Sequence, residues 1–520
     1  MMSAQCNPSD LQSPRFNPWL IAVTVMSATF MELLDTSVAN VALRHIAGGF
    51  AASIDESTWV LTSYLVSNAI VLVATGWLSS FFGRKRLLLS CIVIFTGASA
   101  LCGSAPSLGF LIVARVIQGI GGGVLQPTAQ AVLLESFPPE KRGQAMCVYT
   151  LGVMCAPLLG PTVGGWIADN YSWRWIFYLN LPVGVFAMLM TQGSITDPPY
   201  LRRVRGHVDY VGFAMVSVGL GSLQIVLDNG QQADWFASTL IRSLSVVAIL
   251  TLAIFIWREL RKETPIVDLR VLKNRNFAIG ALLVTTISGA AFYATITLLP
   301  LFLENVLGYT AALSGETLAA RGIGALVATI IVGRLIGKID TRLIMCCGFG
   351  LLALSIFLLS DVNLDVAQSA FLWPNILNGF AFGLISAPLT TMAVSTLRPE
   401  QISYATAIFN AMRNLGGSIG ISVVTTLLAR RRQWHQTVLT SHLTSHNRLF
   451  RQQLGQVQRL LAGGQIFFKR SQRAYGVIYG MLLNQAALLA FIDNFRLLAS
   501  LCLLCAPLAL FFTKGERRVK

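Results

Sequence analysis

Two carboxylates three residues apart, Glu32 and Asp35, stand inside an apolar stretch that runs from about Asn17 to Leu43. Spacing of three places them on neighbouring parts of one helix face. A carboxylate at such depth costs about 2.5–3.5 kcal/mol on insertion scales, so it normally faces a cavity and does chemistry there. The chemistry available is reversible protonation, and Asp35 is read as a group that gains and loses a proton during a transport cycle, with Glu32 beside it. The plainer alternative, a hydrogen bond at a helix interface, applies more to Glu32 than to Asp35. Arg115 lies inside the fourth apolar stretch. An intramembrane arginine needs a carboxylate or carbonyl partner, and Asp35 or Glu32 is the obvious one. Gln118, Gln126, Asn378, Asn410 and Arg413 are polar residues in apolar surroundings and are the candidates for a substrate cavity. Arg321 and Arg413 are two more charges inside spans, and for each both pairing within the fold and contact with substrate are open.

The elements that position these residues must be transmembrane helices. Hydrophobic residues make up 54% of the 520 and charged ones 12%, which excludes an ordinary soluble domain. Apolar runs recur along nearly the whole chain, each long enough to cross a hydrocarbon core of about 30 Å. Helices, rather than a barrel, satisfy backbone groups within one continuous apolar segment. The predicted spans are 17–43, 57–79, 87–104, 107–130, 144–168, 175–194, 208–228, 237–257, 277–303, 312–336, 343–360, 367–396, 403–428 and 488–512, about fourteen in all. The first 16 residues are polar and the first apolar run is too long for a cleavable signal peptide.

Positive charge sets the orientation. With the N-terminus in the cytoplasm, the cytoplasmic loops carry Arg84, Lys85 and Arg86, then Lys141 and Arg142, then Arg202, Arg203 and Arg205. Arg258, Arg261, Lys262, Arg270, Lys273 and Arg275 follow, and the tail adds Lys514, Arg517, Arg518 and Lys520. The opposite short loops hold little beyond Arg44, Arg174 and Arg242. Both termini are therefore expected in the cytoplasm, and the net charge of +16 reflects topology and anionic headgroups rather than a nucleic-acid partner. Segment 429–487 breaks the pattern: it lies outside yet carries nine Lys/Arg. A loop that long translocates regardless of its charge. Within it Leu449, Phe450, Leu454, Val457, Leu460 and Leu461 recur near helical spacing among arginines, which predicts an amphipathic helix on the membrane surface or against a partner protein. Of the nine cysteines, eight lie in or near spans, where small packing residues are the expected role, and Cys6 is in the cytoplasmic tail. His435, His442 and His446 lack an acidic or cysteine companion and are read as solvated loop residues, so no metal is expected.

The glycines and prolines complete the pattern. In Thr75–Leu89, Gly76 and Gly83 allow close helix approach and a tight turn, while Arg84, Lys85 and Arg86 are expected to anchor the loop at the cytoplasmic face. Pro157 and Pro161 remove backbone donors in span five, and Gly160 with Gly164, followed by Gly165, makes a flat face for tight packing. Four segments in order, LDTSVANVAL (34–43), GWLSSFFGRKR (76–86), LIVARVIQGIGGG (111–123) and LGPTVGG (159–165), resemble the signature motifs of the major facilitator superfamily. The first and last are similar to those of its fourteen-span drug:proton antiporters, the EmrB/QacA group. The likeness continues through LQIVLDNGQQADWF (223–236), TPIVDLRVLKNRNF (264–277), ARGIGALVATIIVGRLIGKIDTR (320–342) and NAMRNLGGSIGISVVTT (410–426). Two departures stand out: Ser80 occupies the place of an acid in the loop motif, and Arg44 stands where the first motif often ends in proline.

The resemblance implies an all-α membrane fold of two six-helix bundles around a central cavity. It assigns 1–16 to a cytoplasmic tail, 17–194 to the first bundle, 195–257 to a linker and inserted helices 7 and 8, 258–512 to the second bundle with the external loop, and 513–520 to a cytoplasmic tail. It implies a cell inner-membrane exporter of hydrophobic or amphipathic organic compounds, driven by protons without a cofactor. A periplasmic membrane-fusion adaptor and an outer-membrane channel are the implied partners of a tripartite pump. The alternative on the same fold is a proton-coupled permease for one metabolite. An enzyme is not expected: it would need clustered histidines or acids at one membrane depth, or a phosphate loop, and the sequence presents neither. Asp35 and Arg115 argue against a non-transporting scaffold.

Overall fold

The computed structural model describes residues 17–138, 141–197, 209–262, 265–336, 338–444, 446–460 and 467–513. The expectations for tail 1–16, Cys6, Arg202, Arg203, Arg205, Leu461 and the basic C-terminal residues Lys514, Arg517, Arg518 and Lys520 fall outside them. The chain is helical throughout: α1 Pro18–Val41, α2 Leu43–Gly49, α3 Ile54–Phe82, α4 Arg84–Gly103, α5 Leu108–Gly122, α6 Leu125–Ser136, α7 Arg142–Asn170, α8 Trp175–Tyr178, α9 Asn180–Ser194, α10 Tyr210–Asn229, α11 Thr239–Arg261, α12 Arg275–Leu283, α13 Phe292–Asn305, α14 Ala311–Leu335, α15 Thr341–Leu358, α16 Ser369–Val394, α17 Ile402–Ser441, α18 Arg448–Leu460 and α19 Phe467–Cys505. Local sequence sets the starts. Asn17 accepts the N–H of Trp19 and Pro18 fills the first turn of α1, where its missing donor costs nothing. Ser53 and Glu56 form a capping box at α3.

Twelve helices among the described residues are long and apolar enough to cross a membrane. The other two predicted spans also fall on helix. Span 277–303 is α12 and α13 joined by a π-helical stretch, Val284–Ala291, and span 403–428 is the first part of α17. Helices α1, α7 and α9 pack together in the N-terminal half, with α3 against α5; α14, α15 and α16 pack together in the C-terminal half, with α17 against α19. The halves meet where α7 lies along α14 and α3 along α17. The inserted pair α10 and α11 is tied at one end by Asp209, which pairs with Arg258 (2.9 Å) and Lys262.

The loop expected at 429–487 is replaced by long helices. α17 has 40 residues and α19 has 39, so at 1.5 Å per residue each is roughly 60 Å long, about twice the hydrocarbon thickness. The predicted last span, 488–512, thus takes in the inner part of a helix that already begins at Phe467 and ends at Cys505, followed by a 3-10 turn at Pro507–Phe511. α18 packs on α19 through Phe450, which is buried and lies 6.2 Å from the Tyr475 ring. Leu454 and Val457 are half-buried, whereas Leu449 and Leu460 point outward. His435 is not a solvated loop residue as expected: Nε2 lies 2.9 Å from Asp493 Oδ2 of α19. No group of three or more potential metal ligands forms among the described residues.

Candidate functional site

Asp35 lies on the buried side of α1 and is 3% exposed. Its Oδ2 accepts from Arg115 Nη1 at 2.6 Å, and its Oδ1 accepts from Gln118 Nε2 at 2.9 Å and from Asn180 Nδ2 at 2.6 Å. Arg115 and Gln118, three apart on α5, share the pair, since Arg115 Nη1 also donates to Gln118 Oε1 (2.8 Å). Arg115 Nε reaches the Val60 carbonyl at 3.1 Å and the guanidinium lies 4.3 Å from the Tyr64 ring centroid, a cation–π contact. The ion pair is sealed from solvent on both sides. Removing one member of such a pair strands the other, at a cost of about 3–5 kcal/mol.

Glu32 forms a second centre one turn earlier. It accepts from Tyr64 Oη (3.3 Å), Asn68 Nδ2 (3.2 Å) and Gln126 Nε2 (2.6 Å). Tyr64 thereby touches both acids' networks, with its hydroxyl on Glu32 and its ring on Arg115. Gln126 Oε1 in turn accepts from Arg413 Nη2 of α17, and the next turn of α6 holds Gln130, whose Oε1 accepts from Asn410 Nδ2 (2.7 Å). A continuous polar chain therefore runs from Glu32 in one half to Arg413 in the other. Arg413, Gln130, Tyr149, Thr150, Phe382 and Ser386 line a cavity of about 30 Å³ between the halves, and Arg413 is the one charged residue on its wall among the described residues. Sites for drug-sized ligands are about 300–1,000 Å³, so the space between the halves is too small for one in this conformation.

Small residues make these distances possible. A side chain at Gly121 would meet the backbone of α4, with Phe95 N at 2.7 Å and Cys91 O at 2.8 Å, so α5 reaches the depth that delivers Arg115 only as glycine. In α7 a Cβ at Gly164 would stand 2.7 Å from Val38 Cγ1 of α1, and one at Gly160 would collide with Ser37. Gly165 meets only Val41, at an ordinary 3.8 Å. Because Pro161 has no N–H, the Pro157 carbonyl lacks its helical partner, and Ser37 Oγ of α1 donates to it at 3.2 Å.

The loop motif departs from its expected role. Gly83 makes the tight turn with φ of 83°, but Arg84 turns inward instead of anchoring the loop at a membrane face. It is 2% exposed, forms an ion pair with Glu135 at the end of α6 (Nη2–Oε1 2.7 Å), and donates to Ser403 Oγ of α17 at 2.7 Å. Carboxylates within reach explain the inversion: Glu135 takes Arg84, and Asp197 accepts from the Lys85 N–H at 2.8 Å. Lys85 Nζ reaches the Gln192 carbonyl, and only Arg86 is exposed. Gly76 lets α3 approach Tyr404 of α17, where a Cβ would be 2.9 Å from Tyr404 Cα, and Ser80 faces the same tyrosine hydroxyl at 3.4 Å.

Of the polar candidates, Arg413 lines the cavity, Gln126 and Asn410 form the cross-half contacts beside it, and Gln118 belongs to the Asp35 site. Asn378 sits elsewhere, fully buried and donating to Ser355 Oγ of α15. Arg321 is buried on α14 with Nε on Asn375 Oδ1 at 2.6 Å. Sequence reasoning did not single out Tyr64, Asn68, Gln130, Tyr149 or Asn180. The available signal was spacing: Tyr64 and Asn68 are four apart in span two, as Gln126 and Gln130 are in α6, and each pair faces one direction.

Comparison with known proteins shows the family. The chain is 37% identical over 495 residues to the multidrug export protein EmrB of Escherichia coli strain K12, covering 95% of this chain and 94% of that one. It is 39% identical over 427 residues to the fatty acid resistance protein FarB of Neisseria gonorrhoeae, covering 82% and 84%. The human organic anion transporter MFSD10 (TETRAN) superposes with a TM-score of 0.61 over 95% of this chain and 100% of that one, at 13% identity, a likeness of fold. Residues 25–421 match the Major Facilitator Superfamily. The chain belongs to that superfamily of membrane transporters.

Proposed function

We infer that the protein exports amphipathic toxic organic compounds in exchange for protons, as a drug:proton antiporter that alternates between inward- and outward-open states in the cell inner membrane. The observation that carries this reading is the ion pair of Asp35 and Arg115, sealed inside the helices. A buried ion pair is seldom the most stable filling of such a space, so a pair kept at that depth is better explained by a group that must change charge. A proton arriving at Asp35 Oδ2 takes the place of Arg115 Nη1. The neutral carboxyl keeps Gln118 and Asn180 on Oδ1, and Arg115 keeps the Val60 carbonyl, Gln118 Oε1 and the Tyr64 ring. Those remaining contacts lower the cost of opening the pair. Tyr64 then connects the event to Glu32, and Gln126 connects Glu32 to Arg413 on the cavity wall. Movement of one charge through the membrane field adds about 2.3 kcal/mol per 100 mV. The proton gradient supplies the energy and the reading needs no cofactor.

The cavity wall supports a substrate class. It is largely apolar with the single positive charge of Arg413, so amphiphiles bearing an acidic group are favoured over cations. The names of the relatives, a multidrug exporter and a fatty acid resistance protein, agree with that range. The outer parts of α17 and α19 support a partnership with a periplasmic adaptor leading to an outer-membrane channel. Beyond the predicted spans α17 extends by roughly 20 Å and α19 by roughly 30 Å, and 429–487 contains nine Lys/Arg and no acidic residue. Leu449 and Leu460 are exposed on α18. The test is the drug sensitivity of a deletion strain complemented with wild type or Asp35→Asn. Hypersensitivity to several unrelated amphiphiles, acidic ones foremost, should be relieved by wild type only. Relief by Asp35→Asn, or a defect confined to one metabolite, would overturn the reading.

A further inference from the structure

The outer ends of α17 and α19 take no part in the networks of Asp35 and Glu32, yet together with α18 they form a groove of their own. Leu443, Phe450, Tyr475, Gly476, Ile478 and Tyr479 line a space of about 520 Å³ that opens to solvent. Phe450 and Ile478 are buried, whereas Tyr475 is 51% exposed and Tyr479 47%. Contacts between the helices set the walls. The Phe450 ring of α18 lies 6.2 Å from the Tyr475 ring, and Gln436 Nε2 of α17 donates to Tyr479 Oη at 2.9 Å. A Cβ added at Gly476 would meet nothing within 4 Å, so the groove is open over that turn of α19.

Charge around the groove is one-sided. Between residues 401 and 513 the one acidic residue is Asp493, and it is held by His435 (2.9 Å) and Arg431 (3.7 Å). Arg451 follows Phe450 on α18, and Arg473 stands three residues before Gly476, on a neighbouring part of the same face of α19. Both arginines are exposed, and neither forms an ion pair among the described residues. Aromatic walls edged by free guanidinium groups suit a ligand with an apolar body and an acidic head. Size decides between a small molecule and a protein. Sites for drug-sized ligands are about 300–1,000 Å³, whereas a stable protein interface takes about 20–30 residues a side, several times what lines this groove. Leu449 and Leu460, the exposed pair offered above to an adaptor, lie outside the lining.

The geometry points to this groove as a second binding site for acidic amphiphiles, separate from the cavity of Arg413. Roughly 40 Å of α17 lie between Arg413 and the end of that helix at Ser441, next to the groove. Resting on the export reading above, the ligand is the exported compound itself, held after it has left the space between the halves. Its tail lies against Phe450, Tyr475 and Ile478, and its acidic head faces Arg451 and Arg473. A compound held there is kept from returning to the adjacent leaflet.

Photolabelling tests this on the full-length protein in phosphatidylcholine nanodiscs, with a diazirine-tailed fatty acid as probe and the amine of the same chain as control. The acid should label peptides containing Phe450 and residues 475–479 at least tenfold more than the amine does. Gly476→Trp fills the open turn and should cut that labelling tenfold, as should Arg451→Glu with Arg473→Glu, while labelling around Arg413 persists and reports an intact fold. Equal labelling by the amine, or groove labelling unchanged in Gly476→Trp, would overturn the proposal. Loss of the label when phosphatidylglycerol replaces part of the lipid would overturn it in favour of a lipid seat. An unlabelled groove in the wild type would overturn it as well, and reduced resistance of cells carrying Gly476→Trp would then make the groove an adaptor's seat. Groove labelling in a protein that fails to relieve the deletion strain's sensitivity would support the binding site and remove the export reading.

Discussion

Arg115 offers the most exacting substitution series, because its guanidinium does three things at once. It pairs with Asp35 at 2.6 Å, donates through Nε to the Val60 carbonyl at 3.1 Å, and lies 4.3 Å from the Tyr64 ring. Arg115→Ala leaves a buried carboxylate without its cation, a loss of about 3–5 kcal/mol. If that arrangement is needed in the transport transition state, at about 1.36 kcal/mol per tenfold, turnover should fall roughly a hundred- to a thousandfold or more. Arg115→Lys restores a charge for Asp35 but loses the fork to Val60 and the flat stacking on Tyr64. One charge-assisted hydrogen bond is worth about 1.5–3 kcal/mol, which predicts roughly a ten- to hundredfold loss. The double variant Asp35→Asn/Arg115→Ala should insert better than Arg115→Ala alone, since no lone charge is buried, and still not transport. The assay is uptake into everted vesicles under an imposed proton gradient, normalised to inserted protein, of a compound to which the deletion strain is hypersensitive. Wild-type rates in both single variants would refute the reasoning and leave Arg115 a packing residue.

Three further outcomes follow from the geometry. Gly164→Leu should lower transport at least tenfold with insertion intact, since a Cβ alone already stands 2.7 Å from Val38 Cγ1; an unchanged rate in the same vesicles would mean that α1 and α7 need not stay in contact. Arg413→Ala should weaken competition by acidic amphiphiles tenfold or more while neutral ones change little, and an equal loss for both would remove Arg413 from substrate selection. Leu449→Ser with Leu460→Ser should reduce resistance in cells but leave vesicle transport intact, as both side chains are exposed on α18; loss of vesicle transport as well would place the outer helices in the gate rather than in a docking surface.

The membrane class, the helix positions and the Asp35–Arg115 partnership were legible because hydrocarbon makes few exceptions: a span must be apolar, and a charge inside it must have a partner. What stayed hidden depended on which way helices face each other. Arg84 lies in a basic loop run that composition assigns to headgroups, yet Glu135, fifty-one residues away in sequence, draws it inward. Asn180 begins α9, inside span 175–194, and carries no motif, so only the packing of α9 on α1 brings it to Asp35. The choice of Asp35 over Glu32 for Arg115 is likewise a matter of rotation about α1. Within 429–487 the amphipathic helix expected around Leu449–Leu461 is α18, whereas the continuation of α17 to Ser441 and the early start of α19 at Phe467 were missed, because polarity marks the end of a membrane span and does not end a helix. Few helix breakers interrupt 429–441, and α17 simply continues.

The central claim is that Asp35 carries the coupled proton. It is tested most directly by Asp35→Asn in everted vesicles, comparing efflux-direction transport driven by a proton gradient with downhill exchange of substrate at equal pH. The variant keeps the size of the side chain and removes its titration. The account predicts that gradient-driven accumulation disappears while exchange persists, because the cavity and its Arg413 wall are untouched. Gradient-driven accumulation at the wild-type level would contradict it.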